Sequence, residues 1–304
     1  MKNMRIPLLV VLGVAIMGIV FGTFFDLNIS SAIASTNNYF ALTVSAVGPT
    51  IGFGAVAVMG GGFIAYALKG KYHIALKILF FVLAAACFGV SIFYPAGEWF
   101  GINGFYGAAP EWVGYLVVIL PEAAFGVGGY FLFRNSKNEN MWIVFCIIIV
   151  LLLIGLLAVI PTIKDNMHRP RYRLISTTDA VKFHKWFEPF KDYKQYLEEP
   201  YKYAKDNFKS FPSGHTAEAS ILLVAATLFP LADERIKKYQ MPIFYGSCAL
   251  VLLVAFARIL AAAHFLSDVS MGATIITVLL FIANEVVMRI KPLQLKEQEP
   301  EKQQ

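Results

Sequence analysis

Eight separate segments of this chain are long and apolar enough to cross a lipid bilayer, which requires about 20 mostly apolar residues each. They are residues 6–25, 40–68, 74–94, 112–133, 141–161, 213–232, 241–262 and 265–288. Of the 304 residues, 58% are hydrophobic and only 15% are charged. A soluble domain has about 45–50% apolar and about 25% charged residues, so a soluble fold is excluded. We expect an all-α, polytopic membrane helix bundle of about eight transmembrane helices.

The lysines and arginines of the short loops predict how this bundle is oriented. They precede the first span and follow the second, fourth, sixth and eighth, whereas loops 26–39 and 95–111 contain none. Short loops rich in positive charge stay on the cytoplasmic side. We therefore expect a multi-pass protein with both termini in the cytoplasm, and the lack of eukaryotic targeting signals favours a bacterial plasma membrane.

The whole chain, 1–304, is expected to form a single membrane domain. Residues 6–161 supply the first five spans, 213–288 the last three, and 289–304 a cytoplasmic tail. The extracytoplasmic loop 162–212 carries eleven basic and seven acidic residues and is rich in aromatic side chains. Two structures are open for this loop, namely short amphipathic helices at the headgroup level or a solvated loop of mixed charge. The net charge of +6 also suits a membrane protein, so no nucleic-acid partner is expected.

Three clusters of polar residues lie at the expected outer ends of spans five to eight. They are 164–171 (KDNMHRPR) after span five, 212–215 (PSGH) at the start of span six, and 258–268 (R-x5-H-x3-D) between spans seven and eight. An even number of spans separates the second cluster from the third, and a single loop joins the first to the second. The topology therefore predicts that all three clusters meet on one membrane face.

These residue types together suit the transfer of a phosphoryl group. Lysines and arginines recognise phosphate oxygens, and Ser213 and Gly214 stand at a helix start, where backbone N–H groups favour an anion. His264 and Asp268 are four residues apart, so that the carboxylate would hold one imidazole nitrogen and leave the other as a nucleophile. His215 would then protonate the leaving oxygen. Such a site needs neither a metal ion nor another cofactor.

The three motifs resemble those of the type 2 phosphatidic acid phosphatase superfamily of integral-membrane lipid phosphate phosphatases, over about residues 141–288. That signature is Lys-x6-Arg-Pro, then Pro-Ser-Gly-His, then Ser-Arg-x5-His-x3-Asp. Here Ala257 replaces the serine of the third motif, and Thr162 stands where the first motif has its lysine. Lys164, two residues later, is expected to take the place of that lysine.

The resemblance implies a role for each matching residue. His264 becomes the nucleophile that forms a phosphohistidine, with Asp268 as its partner and His215 as the acid. The implied phosphate-binding residues are Lys164, Arg169, Ser213, Gly214 and Arg258, and the candidate headgroup contacts are Arg171 and Arg173. A six-helix phosphatase-like core is also implied, which makes the spans within 74–133 additional to it.

The expected activity is hydrolysis of a lipid phosphate or diphosphate at the extracytoplasmic face. Undecaprenyl diphosphate, phosphatidic acid and phosphatidylglycerol phosphate are the substrate classes that the resemblance implies, and the lipid bilayer is the other expected partner. Two alternatives would use the same residues: an anionic-lipid binding or transport protein without hydrolysis, and a phosphotransferase with an acceptor other than water. An oriented nucleophile favours an enzyme, since a binding site needs none. The particular lipid and the oligomeric state are left open.

Overall fold

The computed structural model describes residues 4–69, 72–106, 111–136 and 140–289, without the side chains of 98–106 and 111. Within these ranges it contains eight helices that are long and apolar enough to cross a membrane, and no strand. The predicted class, an all-α polytopic membrane protein, is therefore confirmed. Most of the expected cytoplasmic tail, 290–304, lies outside the described residues.

The helices are, in chain order, α1 (Arg5–Ile33), α2 (Tyr39–Ala67), α3 (Ile74–Tyr106), α4 (Glu111–Arg134), α5 (Asn140–Ile154), α6 (Ile160–Met167), α7 (Tyr172–Ile175), α8 (Gly214–Ser220), α9 (Leu223–Ala232), α10 (Gln240–Leu260) and α11 (Leu266–Arg289). One π-helical turn, Gly155–Val159, continues α5 into α6. α8 and α9 together make the sixth span. Short 3₁₀ turns occupy Lys191–Tyr196, Lys205–Phe208 and Glu234–Tyr239.

α1 continues well beyond the predicted first span, 6–25. The acidic Asp26 ended the apolar segment in the sequence, yet in the structure this residue is buried inside the bundle at 2% exposure. Its carboxylate lies 2.8 Å from the guanidinium of Arg169. Because a buried charge is tolerated when it is paired, the helix passes through Asp26 without interruption.

α2 lies at the centre of the bundle, where it contacts α3, α4, α5, α8 and α10. Glycines bring its backbone very close to that of α4. A Cβ on Gly61 would overlap the Gly126 carbonyl oxygen, and one on Gly129 would overlap the Val58 carbonyl oxygen. Close backbone approach through small residues is a common way of packing membrane helices. α8 in turn contacts α2, α10 and α11, while α1 packs along α11.

Residues 168–212 fold over one end of the bundle as a compact cap. Its buried hydrophobic side chains are Leu174, Val181, Phe190, Tyr193 and Phe208. Two hydrogen bonds that join the cap to the bundle run from the Arg173 N–H to the Ala262 carbonyl oxygen and from Trp186 Nε1 to Thr23 Oγ1, both at 2.9 Å. The cap thus combines short helical turns and many exposed charged side chains with a packed aromatic core.

Candidate active site

The three predicted motifs meet at the end of the bundle beneath the cap. The Ser213 N–H donates to the Asp268 carbonyl oxygen at 2.9 Å, which brings the start of α8 against the first turn of α11. This approach requires Gly272, since a Cβ there would overlap the Ser213 carbonyl oxygen. Lys164 on α6 reaches the same place, because its Nζ lies 3.6 Å from where a Cβ on Gly214 would stand.

The start of α8 is arranged by its N-cap, Ser213. Its hydroxyl oxygen accepts hydrogen bonds from the Thr216 N–H at 3.4 Å and from the Thr216 hydroxyl at 3.1 Å. Gly214 and His215 are the first two residues of the helix, where backbone N–H groups have no partner within the helix. The Ser213 side chain therefore shapes this helix start, and the His215 side chain lies beside it at 7% exposure.

His264 is held by a backbone carbonyl group. Its Nδ1 lies 2.6 Å from the Ser210 carbonyl oxygen, which can only accept a hydrogen bond. Nδ1 therefore carries the ring proton and Nε2 carries the lone pair. Burial lowers the pKa of His264 well below its ordinary value; Asp268 opposes this shift, while Arg171 and Arg258 add to it. The lowered pKa and the contact of Nδ1 both favour a neutral ring with its lone pair on Nε2.

Asp268 reaches this ring through Ser210 rather than by the expected direct hydrogen bond. Its Oδ2 lies 3.7 Å from His264 Nδ1 and instead accepts from the Ser210 hydroxyl at 2.5 Å and the Phe265 N–H at 2.8 Å. α11 begins at Leu266, so His264 precedes the helix and the two side chains are close without sharing a helical face. Ser210, two residues before the second motif, was not singled out by the sequence.

Arg169 occupies a different environment from the expected phosphate site. Its side chain is completely buried, with Nη2 2.8 Å from Asp26 Oδ2 and Nη1 2.5 Å from Asp268 Oδ1. Nε donates to the His184 carbonyl oxygen at 2.8 Å, and the guanidinium lies 4.3 Å from the centre of the Phe265 ring. Because two carboxylates and a carbonyl group engage this guanidinium, the surroundings of Arg169 do not fit the expected contact with phosphate.

A lysine and an arginine at the spacing of the family's first motif do lie at the site. Six residues separate Lys164 from Arg171, and Arg171 is 5% exposed and close enough to His264 to influence its charge. The family signature has a proline after its arginine, which selects Arg169 and puts Thr162 at the lysine position. The same Lys-x6-Arg spacing also runs from Lys164 to Arg171, and this pair is the match that lies at the site.

Arg258 and His264 are brought together by the way α10 ends. The Ala263 N–H donates to the Arg258 carbonyl oxygen at 3.2 Å and the Ala262 N–H to the Ile259 carbonyl oxygen at 3.0 Å, which is a Schellman motif. Its left-handed position is filled by Ala262, with φ 56°. Arg258, 7% exposed, therefore stands in the last turn of α10 just before the chain reverses into His264.

Acidic side chains adjoin these cations. Glu218 is buried at 1% exposure within electrostatic range of Lys164. Asp206 in the cap accepts from Arg171 Nη2 at 2.9 Å and from Arg173 Nη2 at 2.8 Å. Burial favours a higher pKa for Asp206, but the positive charges of the two arginines outweigh it and hold the pKa below its ordinary value. Arg173, a candidate headgroup contact, is thus paired within the cap.

Comparison with known families gives one match. The family model described as the PAP2 superfamily matches residues 139–291, which run from the start of α5 to the end of α11 and include all three motifs. The search of curated proteins found no match, and the search of solved structures found none either. With half of its length matched by that model, this chain belongs to the PAP2 superfamily.

Proposed function

We propose that this protein is an integral-membrane phosphatase that hydrolyses a lipid phosphate or diphosphate without a metal ion. Its family supports phosphatase activity on phosphate esters in general. The observation that carries the finer proposal is the 2.6 Å hydrogen bond from His264 Nδ1 to the Ser210 carbonyl oxygen. It leaves Nε2 as a neutral nucleophile in a site that also contains Arg171 and Arg258, whose charges suit phosphate oxygens.

The proposed reaction has two steps. In the first, His264 Nε2 bonds to phosphorus while the bond from phosphorus to the lipid oxygen breaks, and His215 donates a proton to that oxygen. Lys164, Arg171 and Arg258 offset the charge on the other phosphoryl oxygens. In the second step, water attacks phosphorus and gives a proton to His215, the N–P bond breaks, and inorganic phosphate leaves. His264 and His215 are then restored.

We place this reaction at the extracytoplasmic face and on a lipid substrate. The basic residues of the short loops that the structure describes, such as Arg5, Lys69 and Arg134, lie at the end of the bundle opposite the motifs, which supports this orientation. A site at the ends of membrane-spanning helices suits a substrate whose tail stays in the bilayer while its phosphate enters beneath the cap. Undecaprenyl diphosphate, phosphatidic acid and phosphatidylglycerol phosphate are the candidate substrates.

The proposal is tested by phosphate release from these lipids by detergent-purified protein in the presence of EDTA. We expect release to survive chelation, to be blocked by orthovanadate and to disappear in His264→Ala. His73→Ala is the control, because this histidine is exposed and lies before α3, outside the site. Equal release by His264→Ala would contradict the nucleophile, and release abolished by EDTA would contradict metal independence.

The same assay separates the two alternatives. Tight binding of a lipid phosphate without any release would favour the binding or transport protein. Transfer of phosphate to an added alcohol in preference to water would favour the phosphotransferase.

A further inference from the structure

Asp26 is an acidic residue of a membrane helix that belongs to none of the three motifs. It lies in the last third of α1, and both of its carboxylate oxygens are engaged by groups distant in the sequence. Oδ1 accepts the Ser267 N–H at 2.9 Å; Oδ2 accepts from Arg169 Nη2 at 2.8 Å and also from the Ser267 hydroxyl. Ionisable groups at membrane depth are costly and commonly have a function, so this complete set of partners calls for an explanation.

The contacts of Asp26 converge on the first turn of α11, which leads directly from His264. Ser267 is the second residue of that helix, where the N–H group has no partner within the helix, and Asp268 is the third. The Asp26 carboxylate accepts a hydrogen bond from the Ser267 N–H, and the Asp268 carboxylate accepts one from the Phe265 N–H. α1 comes this close because Gly22, one turn earlier, has no side chain; a Cβ there would lie 2.7 Å from the Ser267 nitrogen.

The charges of this cluster bear on the proposed chemistry. Arg169 lies between Asp26 and Asp268, and all three side chains are buried, so with both carboxylates ionised the cluster has one negative charge in excess. The Asp268 carboxylate also accepts a hydrogen bond from the Ser210 hydroxyl, and the carbonyl oxygen of the same serine accepts one from His264 Nδ1. When Nε2 is phosphorylated and Nδ1 keeps its proton, the ring becomes positively charged. A nearby excess of negative charge stabilises that state.

We propose that Asp26 is a positioning residue for the phosphohistidine step. It binds Ser267 and Arg169, which sets the position of Asp268, and it offsets the charge of Arg169 so that the Asp268 carboxylate stabilises the phosphorylated ring. This inference rests on the proposed function of His264. It assigns a part in catalysis to the first helix, which lies outside the residues matched by the family model.

The first test is Asp26→Asn, which keeps the shape of the side chain and removes its charge. We expect kcat to fall roughly 10- to 100-fold, as is typical when a group that supports a catalytic residue is lost, with KM changed by less than about threefold. Ser30→Ala is the matched control, because Ser30 is one turn further along α1, fully buried and outside this cluster. A kcat for Asp26→Asn equal to that of Ser30→Ala would contradict the proposal.

A second readout does not depend on turnover. Orthovanadate accepts the same ring nitrogen as a ligand, so its affinity, measured by protection against thermal unfolding, should fall in Asp26→Asn by a factor similar to kcat and stay unchanged in Ser30→Ala. If the wild type releases phosphate from no lipid, the proposed hydrolysis fails, whereas the vanadate comparison still decides the role of Asp26. Equal vanadate affinities in the two variants would overturn that role.

A third variant covers the case in which Asp26→Asn does not fold. Arg169→Gln leaves two buried carboxylates without their cation, and the added Asp26→Asn removes one of them, so the double variant should keep more folded protein and more activity than Arg169→Gln alone. If the losses of folded protein and activity in the two single variants simply add up in the double variant, the two side chains are not coupled, which would contradict the proposal.

Discussion

Arg169 and Arg171 are two residues apart and have different partners. Arg169 is buried between two carboxylates, whereas Arg171 pairs with Asp206 and lies close to His264. Two carboxylates more than neutralise the guanidinium of Arg169. Arg171 donates to two carbonyl oxygens and to a single carboxylate, which it shares with Arg173, so its surroundings keep an excess of positive charge that suits a substrate phosphate. At the residue scale, we therefore propose Lys164 and Arg171 as phosphate-binding residues and Arg169 as a support for the start of α11.

This assignment predicts different effects for two substitutions of the same type. Lys164→Gln should lower kcat/KM by about 100- to 1,000-fold, the loss typical for one group that stabilises a transition state, with little change in the thermal unfolding midpoint. Arg169→Gln should instead cost about 3–5 kcal/mol of stability, because it leaves buried carboxylates without a cation. Phosphate release and thermal unfolding in detergent measure both. An unchanged midpoint for Arg169→Gln, or wild-type kcat/KM for Lys164→Gln, would contradict the assignment.

At the scale of single elements, the end of α10 and the start of α11 decide the position of His264, the proposed nucleophile. The Schellman motif places Ala262 in the left-handed region, a conformation that glycine adopts more easily than alanine. The chain then reverses within a few residues and enters α11. At this helix start Asp268 accepts a hydrogen bond from the Phe265 N–H, and Asp26 accepts one from the Ser267 N–H. His264 lies in the connection between the two helices, so its position depends on both helix ends.

Packing of α2 against α4 supports a second element-scale prediction. Gly129→Ala would put a methyl group onto the Val58 carbonyl oxygen, which forces the helices apart and should cost about 1–3 kcal/mol. Gly128→Ala is a matched control in the same helix, since no heavy atom lies within 4 Å of its Cβ position. The thermal unfolding midpoint should fall for Gly129→Ala and stay level or rise for Gly128→Ala. Equal midpoints would contradict the close packing of these helices.

At the scale of the whole molecule, the cap and the motifs occupy one end of the bundle. The other end carries the described basic residues of the short loops, among them Lys69 and Arg134, and an ion pair between Arg5 and Glu285 at 3.8 Å. The cap is itself basic, although the proposed orientation puts it outside the cytoplasm. Ion pairs within the cap, such as those of Arg171 and Arg173 with Asp206, neutralise part of that positive charge.

The orientation predicts which cysteines a membrane-impermeant thiol reagent reaches in intact cells. In a background without Cys87, Cys146 and Cys248, Asp179→Cys in the cap should be labelled from outside, because this side chain is fully exposed. Asn135→Cys, exposed after α4 at the opposite end, should be labelled only after the membrane is permeabilised. The reverse pattern would overturn the orientation and with it the extracytoplasmic site.

The sequence by itself determined the membrane class, the eight spans and the two motifs that contain His215, Arg258, His264 and Asp268. Hydropathy is a local property of about 20 consecutive residues, and these motifs have fixed short spacings, so neither requires knowledge of the packing. α1 continues past the end of the predicted first span for the same reason, because a local measure treats Asp26 as polar whatever its partner.

Only the tertiary structure decided the partners of the charged groups. Ser210 with His264, Arg169 with Asp268, and Asp26 with Ser267 are separated by 54, 99 and 241 residues, respectively. Whether a buried carboxylate meets a guanidinium or a backbone N–H depends on which helices are in contact and on the position of that contact along their axes. That is set by close contacts such as those at Gly22 and Gly272, and no pattern along a single segment contains it.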